Sequence, residues 1–403
     1  MIHGDNDRIW TNEQLNKLRL QGDPIADRAV AAVFDRHDIE RSRAMLRALI
    51  DHENPRLAGL PPELHEFLDQ TSALPEWADT ARLARGQAVF ERWGVAISVA
   101  LFCASLPSAY ACANGVRVLA QTARLETDTR RRVLETGQFL IDALGRTGLV
   151  PESDGMLAIQ RVRLMHAAVR QLILAHQADP GTEGSPPVWD DSWGHPINQE
   201  DLAGTLLSFS YTVVGPLPRL GIELSDVDRE DYLYVWRVIG TLLGLDDSVI
   251  PHNTTESTSL VTIIRKRQYG CSTDGVLMTK ALIGLLDEMT PTHLFDTVII
   301  DLIRLLAEDE VAEILELPAP HRHYGWLTRL KVLLRISSHD VENHAVLRVL
   351  ADHLGWHVLK GLFDFERQGE KRTSFDIPDH LADGWALRDD APPARSALSE
   401  ARQ

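Results

Sequence analysis

The chain has 403 residues, 44% hydrophobic and 25% charged, a globular composition that excludes a disordered or fibrous protein. Its 41 Lys and Arg stand against 58 Asp and Glu, a net charge of −17 that disfavours phosphate backbones and anionic membranes, so nucleic acid is set aside as a partner. The three cysteines form no CxxC or CxxCH, which excludes a zinc ribbon, a thioredoxin-type site and a covalently attached c-type haem, and the odd thiol fits a reducing compartment.

In chain order, the opening MIHGDNDRIWTNEQLNKLRLQGDP carries acids and amides where an export signal has a basic end and an apolar run. A cytoplasmic location is therefore expected. Helical periodicity then predicts helices over residues 27–35, 38–51 and 75–93. Residues 94–114, GVAISVALFCASLPSAYACAN, carry no charge over about twenty residues, the length of a membrane span. Pro107, several Ser and Ala, and arginines on both flanks (Arg92 and Arg117) argue instead for a buried helix pair broken near Pro107, with no membrane span.

Longer helices are predicted over 126–144 and 155–178, the second ending before the Gly/Pro/Ser loop DPGTEGSPP. WDDSWGHPINQEDL reads as a tight loop closing on a helix cap, with Asn198 as the cap and Glu200 and Asp201 in the first turn. Helices follow over 199–213, 226–243, 274–289, 293–305, 320–335 and 342–363. Strand signals and fixed-period repeats are weak. The chain reads as all-α, with one helical domain over 1–365 and a polar extension over 366–403 whose end is predicted to be mobile.

Two clusters could carry chemistry. In RVRLMHAAVRQLILAHQ, Leu164, Ala167, Ala168, Leu172 and Ala175 form one apolar face, and His166 lies beside it, near Met165 and Val169. Such a histidine is either a core residue bonded to a carbonyl or a proximal haem ligand, since a neutral imidazole on a rigid helix suits iron. Arg161, Arg163 and Arg170 are either a solvated face or partners for haem propionates. In RRVLETGQF, Arg132, Glu135 and Thr136 share a helix face. They are either a surface ion pair with a neighbour or, if buried against a cofactor, an acid/base group, a positive charge and a hydroxyl donor. No HExxH, GxSxG or phosphate loop is present, and HRH at His321 and His323 reads as a surface turn.

Several blocks, in order, together resemble the latex-clearing proteins and their wider group of helical haem b oxygenases: LRLQGDPIAD (18–27), FCASLPSAYACANGVRVL (102–119), RRVLETGQF (131–139), RVRLMHAAVR (161–170), WGHPINQEDL (193–202) and the 232–245 block beginning YLYVWRVIG. The resemblance implies a globin-like helical core around a non-covalent haem b, with additional helices at both ends. It implies His166 as the axial ligand of the iron, and it carries over an RxxKT-like motif as Arg132, Glu135 and Thr136. The rubber-cleaving members have lysine where this chain has Glu135, and they are secreted, whereas no export signal is visible here. The implied function is a haem-dependent oxygenase. It would act with dioxygen or peroxide on a small apolar alkene or terpenoid, by C=C cleavage or hydroxylation. The implied pocket is lined by the 94–114 segment and the 205–215 helix. A haem protein that only binds a gas or ligand is the alternative, and a cofactor-free scaffold with His166 as a core residue is a third.

Overall fold

The uncharged stretch decides the architecture, because its side chains must be covered on every side. The computed structural model describes residues 7–36, 60–122, 129–178, 189–288 and 298–319. The helices expected over 38–51, 320–335 and 342–363, the loop 179–187 and the C-terminal extension lie outside the described residues. Among the described residues the protein is all-α, and the one β contact is an isolated bridge between Cys112 and Tyr269.

The helices are α1 Asn12–Leu18, α2 Pro24–Arg36, α3 Pro62–Gln70, α4 Thr80–Ala100, a π-helix Leu101–Ser105, α5 Leu106–Tyr110, α6 Val116–Thr122, α7 Thr129–Leu144 and α8 Asp154–Ala178. They continue as α9 Gln199–Phe209, α10 Tyr211–Val214, α11 Asp226–Leu242, α12 Thr254–Gln268, α13 Thr273–Glu288, α14 Val298–Leu306 and α15 Asp309–Ile314. Asn198 caps α9 as expected, its side chain accepting from Asp201 N at 3.0 Å, with Glu200 and Asp201 in the first turn. The single helix expected over 199–213 is two, divided at Ser210. Helix α12 was not expected from periodicity, because its TTEST opening is polar and β-branched. Asn253 starts it as the cap, its side chain accepting from Glu256 N.

The expected break near Pro107 is absent. Proline lacks an N–H and its ring presses on the carbonyl four residues back. The turn before it widens to compensate, so that Leu106 N–H donates to Leu101 O, five residues earlier. Thr80–Tyr110 is thus one helical run with a π turn inside it. By length and composition it could cross a membrane, its most apolar 18 residues having a mean hydropathy of 1.5, but 67% of those residues are buried inside the protein.

Helix α4 packs along α11 at the centre of the main core. Trp236 and Tyr232 of α11 are almost fully buried with Phe90, Ile97 and Leu101 of the α4 run. Trp236 stacks on Phe209 at 5.5 Å, and the Tyr232 hydroxyl donates to Phe209 O at 3.1 Å. The crossing is close because α4 presents Gly86 there: a Cβ on Gly86 would lie 2.2 Å from Asp231 O.

Helix α8 belongs to three apolar clusters. Its first half, Met156, Ile159 and Val162, enters the main core. Further along, Leu164, Ala167, Ala168 and Leu172 pack on α2 and α3 with Val30, Val33, Leu64 and Phe67. Val169 and Ile173 face Val118 of α6 and Trp189. A helix covered on so many sides is held rigidly, which suits a helix that carries a functional side chain.

Gly86→Ala is expected to force α4 and α11 apart and lower stability by about 1–3 kcal/mol, outweighing the helix-propensity gain of about 1 kcal/mol. The midpoint of a urea titration checks this, and an unchanged or higher midpoint would contradict the close crossing.

Candidate functional site

Positions 163, 166 and 170 are three and four residues apart, so Arg163 and Arg170 flank His166 one turn to either side on α8. Both arginines are buried, and a buried guanidinium requires a counter-charge. The segment around Gly22 supplies it. Arg163 makes a two-pronged pair with Asp23, Nε to Oδ2 at 2.5 Å and Nη2 to Oδ1 at 2.9 Å, and Nη1 donates to Leu242 O at 3.1 Å. Arg170 pairs with Asp27 and donates to Pro196 O at 2.9 Å and Ile197 O at 2.8 Å. Both aspartates start α2: Ala26 N donates to Asp23 Oδ1 at 3.3 Å, and Asp23 N donates to Asp27 Oδ2 at 3.1 Å.

The surroundings are built to admit these pairs. Gly244 has φ +83°, and a Cβ there would lie 2.2 Å from Asp23 Oδ2. A Cβ on Gly22 would lie 2.6 Å from Asp27 Oδ2 and 2.9 Å from Arg170 Nε. Gln199 ties the backbones together, its Nε2 donating to Gly22 O at 2.8 Å and Gly244 O at 3.1 Å, while its Oε1 accepts from Asp246 N at 2.8 Å. Arg19 joins the same segments through Asp201 at 2.9 Å and the Trp193 carbonyl. Four of the sequence blocks therefore meet on α8: 18–27, 161–170, 193–202 and 232–245.

His166 is half-buried at the border of this charged hub. Val169 and Ile173, three and seven residues further along α8, belong to an apolar patch with Val118 and Trp189, and Met165, Trp193 and Ile197 pack against it. Trp189 and Trp193 pack edge to face at 5.2 Å. Burial pushes the imidazole pKa down to about 4, and Arg170 acts in the same direction while Asp23 opposes it. The ring is therefore neutral at physiological pH, and among the described residues it has no hydrogen-bond partner.

A propionate would have to compete at Arg163 and Arg170 with Asp23 and Asp27, which already neutralise them. As they stand, both arginines hold α8 through these pairs. Arg161 is also buried.

The second cluster lies on α7, which packs along α8. Glu135 is buried, and Arg131 Nε donates to its Oε1 at 2.8 Å. Arg131, missed in the sequence, is thus a partner of this carboxylate. Arg132 Nη1 donates to Leu119 O of α6 at 3.0 Å, and its charge acts on the buried Tyr110 phenol. The Thr136 hydroxyl donates to Arg132 O at 2.8 Å. Helix α6 links the clusters: Leu119 receives Arg132, and the adjacent Val118 belongs to the patch beside His166. Arg163 and Arg170, seven residues apart on one helix, match in the sequence the two acids of GDPIAD, Asp23 and Asp27.

Comparison with known proteins places this arrangement. Residues 88–336 match the family described as "ER-bound oxygenase mpaB/B'/Rubber oxygenase, catalytic domain". The chain is 26% identical over 267 residues to the rubber oxygenase of Streptomyces sp. (strain K30), a match covering 66% of this chain and 64% of that protein. The chain thus spans a little under two thirds of the length of that relative. In fold it is similar to the structure of latex clearing protein LCP in the closed state, with a TM-score of 0.68 at 23% identity, covering 90% of this chain and 95% of that one.

Gly244→Ala is expected to lower stability by about 1–3 kcal/mol, because it adds a clash with Asp23 to an unfavourable φ. Gly204→Ala is the control: its Cβ would meet Ile264 at an ordinary 3.6 Å inside α9, so a gain of up to about 1 kcal/mol is expected. Equal thermal midpoints for the two variants would rule out the tight hub.

Proposed function

The chain belongs to the mpaB and rubber oxygenase catalytic-domain family, and from that premise we propose that it is a haem b-dependent oxygenase acting on an apolar alkene or terpenoid-like molecule. The observation that carries this is His166: a neutral imidazole, free of hydrogen bonds among the described residues, at the edge of a tryptophan-lined apolar patch. Among the described residues no group of three His, Cys, Asp or Glu could hold a bare metal ion. A porphyrin brings four nitrogens of its own and asks the protein for one axial ligand, which His166 fits.

Bound haem would supply activation of dioxygen or peroxide, leading to oxidative C=C cleavage or hydroxylation. The protein's part is to hold, orient and exclude. Helix α8 fixes the imidazole through Arg163 and Arg170. The uncharged run over 94–114 and the 205–215 region offer apolar walls that bind substrate and keep water out. Glu135 holds or takes a proton at its carboxylate, Arg132 supplies positive charge, and the Thr136 oxygen remains able to accept a hydrogen bond. A carboxylate at position 135, where the resemblance implies lysine, favours a substrate other than rubber.

The Arg131–Glu135 pair favours a second reading. A carboxylate already committed to an arginine serves structure as readily as proton transfer. In that reading the protein binds a gas or ligand without turnover, and Glu135→Gln would leave ligand binding intact with no activity to lose.

The test is haem binding. Purified protein should take up about one b-type haem per chain by pyridine haemochrome assay, and His166→Ala should lose most of it while keeping its helical circular dichroism. Full haem retention by His166→Ala would remove the ligand assignment. Glu135→Lys should alter the resting visible spectrum of the loaded protein, and an identical spectrum would mean that position 135 does not face the cofactor.

A further inference from the structure

The residues that match the family begin at 88, yet both counter-charges of the His166 helix come from before that point. Asp23 is 3% exposed and engages Arg163 with both carboxylate oxygens. A two-pronged arginine–carboxylate pair fixes orientation as well as distance. It therefore sets the rotation of α8 about its axis and the direction in which the side chain at 166 leaves it. The same pair cancels a positive charge one turn from the imidazole. Asp23 is also close enough for its charge to act on His166 directly.

We propose that Asp23 is a positioning residue for His166, so that the N-terminal segment, outside the matched catalytic residues, completes the cofactor site. The proposal rests on the haem reading above. Asp23 acts in two separable ways. The pair clamps the helix, and its negative charge offsets Arg163. An uncompensated guanidinium beside a haem iron favours the oxidation state with less positive charge, the ferrous one. Removing the negative partner should raise the reduction potential, and removing the positive partner should lower it.

The experiment uses the haem-loaded full chain and reads the midpoint potential by spectroelectrochemistry and the rate of haem transfer to an excess of a haem-scavenging protein. Asp23→Asn is expected to raise the potential and to speed haem loss by about tenfold, the usual scale for losing a residue that supports a metal ligand. Arg163→Gln should lower the potential. The double variant Asp23→Asn with Arg163→Gln should return the potential toward the wild-type value while haem loss stays fast, because charge balance is restored but the clamp is gone. A purely structural role would not give opposite shifts that cancel. If Asp23→Asn does not fold, Arg163→Gln and Asp23→Glu decide the matter: a lowered potential in the first and faster haem loss with a near-normal potential in the second support the proposal. Wild-type potential and haem retention in all the folded variants would overturn it. If the wild type takes up no haem, the proposed function fails and this role falls with it. If His166→Ala loses haem while Asp23→Asn is silent, only the role of Asp23 is rejected.

Discussion

The interaction on which the rest depends is the buried pair between Arg163 and Asp23. A guanidinium inside a protein is tolerated only with a partner, and breaking such a pair by removing one side costs about 3–5 kcal/mol. Three arginines are buried on α8, and two of them, Arg163 and Arg170, are each met by an aspartate from the start of α2. The backbones of two distant segments, at 196–197 and at 242, are drawn in to satisfy the remaining donors, and glycines stand where any side chain would collide. The hub holds the helix in one rotation, and everything assigned to His166 follows from that.

Around the histidine the molecule is two-sided. One side is ionic and fully paired. The other is a patch of branched aliphatic and indole side chains. A neutral imidazole at such a border keeps a lone pair that no described donor engages, on a helix that is held rigidly. The α7 cluster is linked to the same patch through α6, by way of Leu119 and Val118. The geometry is consistent with family membership without depending on it.

Much of this was legible in the sequence. The 3.6-residue period located α7, α8 and α11 to within a few residues, and the Asn198 cap was readable from side-chain chemistry alone. Position 166 stood out because a polar residue beside an apolar stripe asks for a reason. What was not legible involved partners. Asp23 and Arg163 are 140 residues apart, and no local rule connects them. Arg131 and Arg132 both lie at helical offsets from Glu135, so spacing alone names no partner, and only the packed phase of α7 brings Arg131 Nε to its carboxylate. The continuous α4 run was missed because a proline signals a break, whereas a π turn can absorb it. Helix α12 was hidden by β-branched residues that its cap and tertiary packing override.

The long reach of the hub has a consequence for how the chain comes to be folded. Arg8 is tied to Glu256, 248 residues later, and Gln199 waits for Gly22 on one side and Gly244 on the other. Contacts of such sequence separation form slowly, because a large loop must close before any of them stabilises the chain. On the ribosome the N-terminal segment emerges first and stays without partners for Asp23 and Asp27 until Arg163 and Arg170 have been made. Its acids and amides keep that waiting segment soluble. The last residues to reach the hub, near Gly244, are also those whose arrival lets the His166 helix lock.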